Sequence, residues 1–432
     1  MILLVAVGAL FVLLTIGAPV GVAMGVSGAL GLILQTGGVE TLMGILQTAP
    51  LSAVAGYELM TIPMFLLMAE FVLLSGISDD LFAAMAAWVG RIPGGLGMAT
   101  ALAGAGFGAI CGTSTASAAT LSTTSLPAML KQGYEPKMAA GVVAISGTLA
   151  MLIPPSVALV IYGILAEVNI GALLVGGILP GVVVTLAIIL TVWFLVARDP
   201  SRAPLAPRTS WAEKIALLRV VSPMLILMGL VTGVIYTGIA TPTEASALGA
   251  LGGFGIALWR RRVTVPTLYA TLLRAARGSC MIGMILLGAS IFTYFFVITG
   301  VSQGLIAWVG ALDANRYVVI ALLLLGYIVL GSFMDQIAIL VLTIPVVVPL
   351  VKSLGFDLVW FGVLKIVTAE VGMITPPIGL NCAVVSRYAR RPLGEVFRGT
   401  FPHFVAHLAV IALMVAVPDI ILVLPHHMGL GR

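Results

Sequence analysis

Charge is what this sequence of 432 residues has least of: 9% of it is Asp, Glu, Lys or Arg, and the mean hydropathy is +1.20 with 61% hydrophobic residues. Soluble domains carry about 25% charged residues, so a soluble fold, which could not cover this much apolar surface, is excluded. The two-residue alternation of a membrane β-barrel is missing as well. Apolar runs of roughly 20 residues, the length that spans a bilayer, recur instead. The chain reads as an all-α polytopic membrane protein. Its three cysteines, Cys111, Cys280 and Cys382, lie far apart without metal-ligand spacing and read as small buried residues. Four histidines, His403, His407, His426 and His427, gather too late and too closely to suggest a catalytic centre. The net charge of +5 does not indicate nucleic acid, because the basic residues only punctuate apolar segments. Met1-Ile2-Leu3-Leu4 carries no positive stretch, and no small-residue cleavage site follows, which predicts a first membrane helix rather than a removed signal.

Hydroxyls, by contrast, are abundant in one place. Between Gly112 and Ser125 lie Thr113, Ser114, Thr115, Ser117, Thr120, Ser122, Thr123 and Thr124, inside an otherwise apolar stretch. Small residues let helices approach closely, and hydroxyls at membrane depth need partners other than lipid. The stretch predicts a re-entrant hairpin over about 93–130 whose tip, Gly112 to Thr115, lines a polar site. A Ser/Thr-rich packing face is the plainer alternative. Around it, Gly17-Ala18-Pro19 divides residues 2–34 into two helices. Residues 39–56 read as interfacial, 58–76 as a span, and 78–90 as an amphipathic surface helix opening on Asp79 and Asp80. A span over 137–166 is interrupted at Ile153-Pro154-Pro155-Ser156, where two prolines leave carbonyls unpaired. Another span covers 170–197. Residues 198–219 are polar and basic (Arg198, Arg202, Arg208, Lys214, Arg219) and read as a cytoplasmic linker.

Beyond it the pattern repeats. Pro19 corresponds to Pro242, Gly112 to Gly331, Pro127 to Pro345, Gly133-Tyr134 to Gly355-Phe356, and Pro154-Pro155 to Pro376-Pro377, all at offsets between 218 and 223. This predicts a duplication: a first repeat over 1–197 and a second over 220–432, with a hairpin at about 318–350 and a broken helix at about 358–386. With the linker cytoplasmic, five spans and one non-crossing hairpin per half make the repeats inverted. Of the 21 Lys and Arg, 17 then fall on the cytoplasmic side, among them Arg91, Lys131, Lys137, Arg260-Arg261-Arg262, Arg387, Arg390 and Arg391.

Two hairpin tips and two double-proline breaks related in this way form one constellation. Interrupted helices present N-termini to anions and freed carbonyls to cations. Carbonyls and neutral hydroxyls suit sodium, a hard cation. Ile62-Pro63-Met64-Phe65, Gly-Thr-Ser-x-Ala at 112–116, Pro127-x-Met129, Gly133-Tyr134, Ile153-Pro154-Pro155-Ser156, Pro180-Gly181, Thr241-Pro242-Thr243-Glu244 and Thr375-Pro376-Pro377-Ile378-Gly379 together resemble the large permease subunit of tripartite ATP-independent periplasmic (TRAP) transporters. The resemblance covers nearly the whole chain. It implies an elevator-type ion-transporter fold in the bacterial inner membrane, sodium as the coupling ion, and import of a small organic anion of the C4-dicarboxylate or carboxylate type. It also implies two partners: a small four-helix membrane subunit, expected as a separate chain, and a periplasmic substrate-binding protein. The family's two sodium sites would fall at Gly112, Thr113, Ser114, Pro154 and Ser156, and at Gly331, Asp335, Thr375, Pro376 and Gly379. Substrate would sit between the tips, near Thr115, Ser117 and Asn381. No further metal or cofactor is expected.

Membrane-embedded charges are weighed separately. Asp335 suits either the second site or a helix cap. Glu370 and Lys365 suit a salt-bridged pair or a partner contact, with a proton- or substrate-linked role as the other reading. Glu58, Glu70 and Glu244 read as scaffold or interface charges. A single-component sodium/anion symporter of the same architecture is the competing function. An intramembrane hydrolase would need a nucleophile–base pair, and no histidine lies in either polar constellation. A channel fits two paired half-sites less well than alternating access does.

Overall fold

The structure, a computed structural model, describes residues 1–206 and 209–429. The side chains of residues 78 and 109–111 also lie outside the described set, so the expectations for Cys111, Arg208 and Arg432 fall outside it. Every regular element among the described residues is helical. Helices α1 (Ile2–Thr15) and α2 (Val20–Thr36) part at Gly17, whose φ of +87° only glycine adopts freely, and at Pro19. Then come α3 (Glu40–Val54), a short 3-10 turn into α4 (Thr61–Leu74), and α5 (Ile77–Val89). Helices α6 (Gly95–Cys111) and α7 (Ser114–Lys131) are joined by two residues. Helix α8 (Pro136–Thr148) and α9 (Val157–Ala166) flank the first double proline. Next are α10 (Ile170–Gly176) and α11 (Ile178–Arg198). After the connection come α12 (Trp211–Tyr236), α13 (Pro242–Trp259), the long α14 (Val265–Thr299) and α15 (Val301–Ala311). A second close pair, α16 (Arg316–Gly331) and α17 (Gln336–Ser353), precedes α18 (Leu358–Gly372) and α19 (Leu380–Ala389), which flank the second double proline. Helices α20 (Leu393–Ala416) and α21 (Asp419–His427) complete the described chain. Six segments are long and apolar enough to cross a membrane by length and composition.

Two expectations are corrected, the extent of the linker and the burial of Cys280. The linker is shorter than 198–219, because Ser210 and Glu213 form a capping box that starts α12 at Trp211 and places Lys214 and Arg219 in the helix. Within the shorter connection Asp199 accepts from Ser201 and Arg202, which holds its carboxyl below the usual range. The span expected at 170–197 is present as Ile170–Arg198, with a break at Gly177, where a Cβ would lie 2.8 Å from the Leu152 carbonyl. Cys280 is exposed on α14 rather than buried, while Cys382 is buried. Helix α5 has Asp79 and Asp80 in its first turn, as expected of an amphipathic helix, and its buried face packs on both α6 and α12.

The helices pack into two bodies. In the first, α1–α4 assemble with α12–α14. Its tightest seam joins α2 to α14: Gly21, Gly25, Gly28 and Gly31 recur on one face of α2. A Cβ on Gly28 would lie 2.8 Å from the Phe292 Cα, and one on Gly31 would lie 2.6 Å from the Phe295 ring. Helices in lipid associate through such close fits rather than by a hydrophobic drive. The Thr61 and Thr243 hydroxyls meet at 2.8 Å between α4 and α13, Arg274 pairs with Glu70 at 2.7 Å, and Glu244 caps α13 through Thr241. The second body holds α6–α11 and α16–α21, with Gly141 of α8 against Gly399 of α20 and Gly331 of α16 against Gly372 of α18. Helix α5 bridges the bodies and is tied to α13 by Arg260–Asp80 at 2.6 Å. Helix α15 lies on α17 and touches α14.

Gly28→Leu should overpack the α2–α14 seam by about 1–3 kcal/mol and lower the thermal unfolding midpoint of the purified protein. Gly283→Ala, whose Cβ meets nothing within 4 Å, should leave it unchanged.

Candidate functional site

The polar centre is built where helices stop. At the first tip, α6 ends on Gly112 (φ +62°), Thr113 is extended, and α7 begins at Ser114. A Cβ on Gly112 would come 3.0 Å from Val157, the first residue of α9, so this tip lies against the first break. That break leaves helical geometry after Met151, and the helix resumes at Val157 behind its N-cap Ser156. Ser156 caps α9 by accepting from the Leu159 N–H at 3.3 Å and donates its own hydroxyl to the Met151 carbonyl, while its carbonyl accepts from Val160. Both of its oxygens are therefore committed to the helix start. Pro154, Pro155 and Ser156 are buried.

The second tip is arranged in the same manner. Helix α16 ends at Gly331, and Asp335 caps α17, its Oδ1 accepting from the Ala338 N–H at 2.8 Å. Gly331 packs on Ala369 and Gly372, and the Gly379 N–H donates to the Ser332 carbonyl at 3.2 Å, so this tip lies against the second break. There Thr375 donates to the Val371 carbonyl at 2.7 Å, and the Asn381 N–H donates to the Met373 carbonyl at 3.1 Å. Unlike the first break, this one is open: Pro376, Pro377 and Ile378 are exposed. Each double proline contains a cis bond, Pro154–Pro155 and Pro376–Pro377.

The halves interlock. The α7 arm of the first hairpin packs on α19, beyond the second break, and the α17 arm of the second packs on α9, beyond the first. Across this junction the Ser114 hydroxyl donates to Glu370 Oε1 at 2.6 Å. Glu370 is buried, as are Ser117, Gln336 and Asn381. Glu370 Oε2, Ser117 Oγ and both amide atoms of Gln336 and Asn381 have no partner within the protein. Of the residues expected at the first site, Gly112 lies against Val157 and Ser114 reaches Glu370 of the other half; of those expected at the second, Gly331 lies against α18 and Gly379 against Ser332. Thr115 and Ser117 on α7 and Asn381 on α19 sit on helices that pack together. Neither α7 nor α19 has a side-chain cap at its N-terminus, whereas α9 and α17 do.

The expected Glu370–Lys365 salt bridge is absent. Lys365 is fully buried, but its ammonium donates to Thr343 Oγ1 at 2.8 Å and lies 4.8 Å from the Tyr327 ring, binding α18 to α16 and α17. Five residues along a helix is about 140° around it, so the two side chains leave α18 in different directions. Gln336 was not expected here. Its signal, a lone amide following Asp335 at the start of an apolar helix, was available. His403 and His407, set aside on sequence, are buried inside the second body on α20, with only His407 Nδ1 engaged, by the His403 carbonyl at 2.9 Å. No group of three His, Cys, Asp or Glu side chains among the described residues could hold a metal ion. Any cation here would depend on carbonyl, hydroxyl, amide and carboxylate oxygens, all hard donors.

This architecture places the chain in a class before it places it in a family: an integral, all-helical membrane protein with two interrupted helices and two close helix pairs. Its fold is similar to the crystal structure of the Alcanivorax borkumensis YdaH transporter, with a TM-score of 0.65 at 15% identity, covering 91% of this chain and 92% of that one. The narrower assignment comes from sequence comparison. Residues 7–420 match the family described as "Tripartite ATP-independent periplasmic transporter, DctM component", and the chain belongs to that family. It is 32% identical to the C4-dicarboxylate TRAP transporter large permease protein DctM of Pseudomonas aeruginosa, over 87% of this chain and 88% of that protein. It is 32% identical to the protein of the same name from Vibrio cholerae, over 92% of each. It is 29% identical to the sialic acid TRAP transporter large permease protein SiaM of Vibrio cholerae, over 97% of this chain and 98% of that one. The chain is therefore a transporter permease of the inner membrane and not an enzyme.

Two stability outcomes follow. Ser114→Ala and Glu370→Ala should each destabilise the purified protein, and their double mutant should fall short of the summed effect by about 1 kcal/mol or more in denaturation experiments. Lys365→Met should lower the thermal midpoint, because it removes the hydrogen bond to Thr343 and the contact with the Tyr327 ring that tie α18 to α17 and α16. An unchanged midpoint would indicate that these contacts do not hold the three helices together.

Proposed function

We propose that this chain is the large membrane subunit of a sodium-coupled secondary transporter that imports a small organic anion. In this reading the two halves are inverted repeats, the linker is cytoplasmic, and the second body moves against the first as an elevator. The observation that carries it is the junction of the two tips, where Ser114 of the first hairpin bonds Glu370 beside the second break and buried oxygens of Ser117, Gln336, Glu370 and Asn381 stand without partners. Unpartnered buried oxygens at membrane depth are costly unless something binds them.

Two sodium ions would use Gly112, Thr113, Ser114 and Pro154 at the first site, and Gly331, Asp335, Thr375, Pro376 and Gly379 at the second. Ser156 would act there through the helix start it caps. The uncapped N-termini of α7 and α19 bring partial positive charge to the region of Thr115, Ser117 and Asn381, which favours an anion between them. Most helix packing falls within the two bodies, which meet through α5 and α15 and through smaller contacts of α4 with α6 and α9, α10 with α12 and α14 with α17; this supports relative movement. Relatives named for C4-dicarboxylates, sialic acid and ectoine support a carboxylate-bearing solute. A tripartite system implies the small four-helix membrane subunit and the periplasmic binding protein as partners.

Reconstitution tests this. Uptake into proteoliposomes should need an imposed sodium gradient, the membrane partner and the binding protein together. Asp335→Ala and Asn381→Ala should each cut the initial rate at least about ten-fold, as expected for loss of about 1.4 kcal/mol. Uptake by this chain alone would favour a single-component symporter, and uptake driven by protons without sodium would overturn the sodium sites.

A further inference from the structure

The two breaks differ in what lies beside them. Next to the first is a cavity of about 470 Å³ lined by Leu102, Ile153, Pro154, Leu186 and Met228, with only Thr185 and Thr232 as polar side chains and no charged residue in its lining. Next to the second is a cavity of about 360 Å³ lined by Ile374, Thr375, Pro376, Phe397, Phe401 and Phe404, together with Arg398. Phe397, Phe401 and Phe404 recur at helical spacing and form one apolar stripe on α20. Phe397 also seals the break, since a Cβ on Gly379 would lie 2.6 Å from its ring. Phe401 is 63% exposed.

Arg398 is exposed and forms no ion pair with any described residue. Arg387, Arg390 and Arg391 stand at the adjoining α19–α20 corner, also exposed. Only Arg391 has a carboxylate partner, Glu395 at 3.7 Å. The corner therefore presents uncompensated positive charge at the end of an aromatic stripe. In the orientation proposed above, it faces the cytoplasmic leaflet, which carries anionic lipid.

We propose that this groove is a site for one anionic phospholipid of the cytoplasmic leaflet. Arg398 takes the phosphate, in the manner of guanidinium–phosphate pairing generally, and an acyl chain lies along Phe397, Phe401 and Phe404 against Pro376. A lipid seated there covers the Pro376 side of the exposed second break. The cavity at the first break has no cation and takes only acyl chain. The proposal rests on the cytoplasmic placement of this corner, not on the sodium sites, and its test reads binding rather than uptake, so failure of one can be told from failure of the other.

The full-length protein, delipidated and exposed to vesicles of phosphatidylglycerol or phosphatidylcholine, would be analysed by native mass spectrometry for retained lipid. One phosphatidylglycerol more than phosphatidylcholine is expected. Arg398→Gln should weaken its retention about five-fold, which is about 1 kcal/mol per cation near a membrane surface. Arg398→Lys should keep most of it, and Phe401→Ala should weaken retention of both lipids; both variants control for folding. Equal retention of the two lipids in the wild type, or unchanged retention in Arg398→Gln, would overturn the proposal. So would displacement of the bound lipid by millimolar inorganic phosphate alone, which would mark a site for soluble anions.

Discussion

Hydrocarbon offers no hydrogen bonds, and every irregular stretch of backbone in this protein answers to that constraint. A helix can be interrupted at membrane depth only where protein supplies the partners that water would supply elsewhere. At the first break this is done by burial and by Ser156, whose hydroxyl takes the Leu159 N–H and gives its proton to the Met151 carbonyl. At the second break the chain is exposed, and the solution differs. The residues that face outward are Pro376, Pro377 and Ile378, two of which have no N–H to leave unsatisfied. The flanking Gly379 and Asn381 amides are held by Ser332 and Met373.

The second dependence is on close approach. The first body is closed by glycines of α2 against α14, and the second by Gly141 against Gly399 and Gly331 against Gly372. These contacts leave no room for a Cβ, and they set the helices at distances where carbonyls and hydroxyls from different parts of the chain can share a site. The site is thus a consequence of packing: α7 and α19 must be in register before Ser117 and Asn381 can belong to one region. The buried atoms without partners concentrate in the second body, and those near the junction give the transporter reading its chemical content. In the first body Thr61 pairs with Thr243 and Glu70 with Arg274.

Much of this was legible from residue order. Proline and glycine act locally, through φ and the missing N–H, so the breaks at 153–156 and 375–379, the turn at Gly112 and the division at Gly17–Pro19 could be placed before any contact was known. Less local features were misplaced. The connection between halves was drawn too long because Lys214 and Arg219 look like linker residues, whereas the Ser210–Glu213 capping box decides where α12 starts. Cys280 was expected to be buried, since composition alone does not say which face of α14 meets lipid.

The sequence by itself determined the class of molecule: low charge and recurring apolar runs admit only a helical membrane protein, and paired hydroxyl-rich and double-proline segments mark where its helices end. Tertiary structure alone decided who meets whom. Glu370 is bonded to Ser114, 256 residues away, and not to Lys365, five residues away. Sequence distance is no guide to that choice, because a helix turns residues five apart onto different faces, while hairpin packing brings distant residues onto the same one.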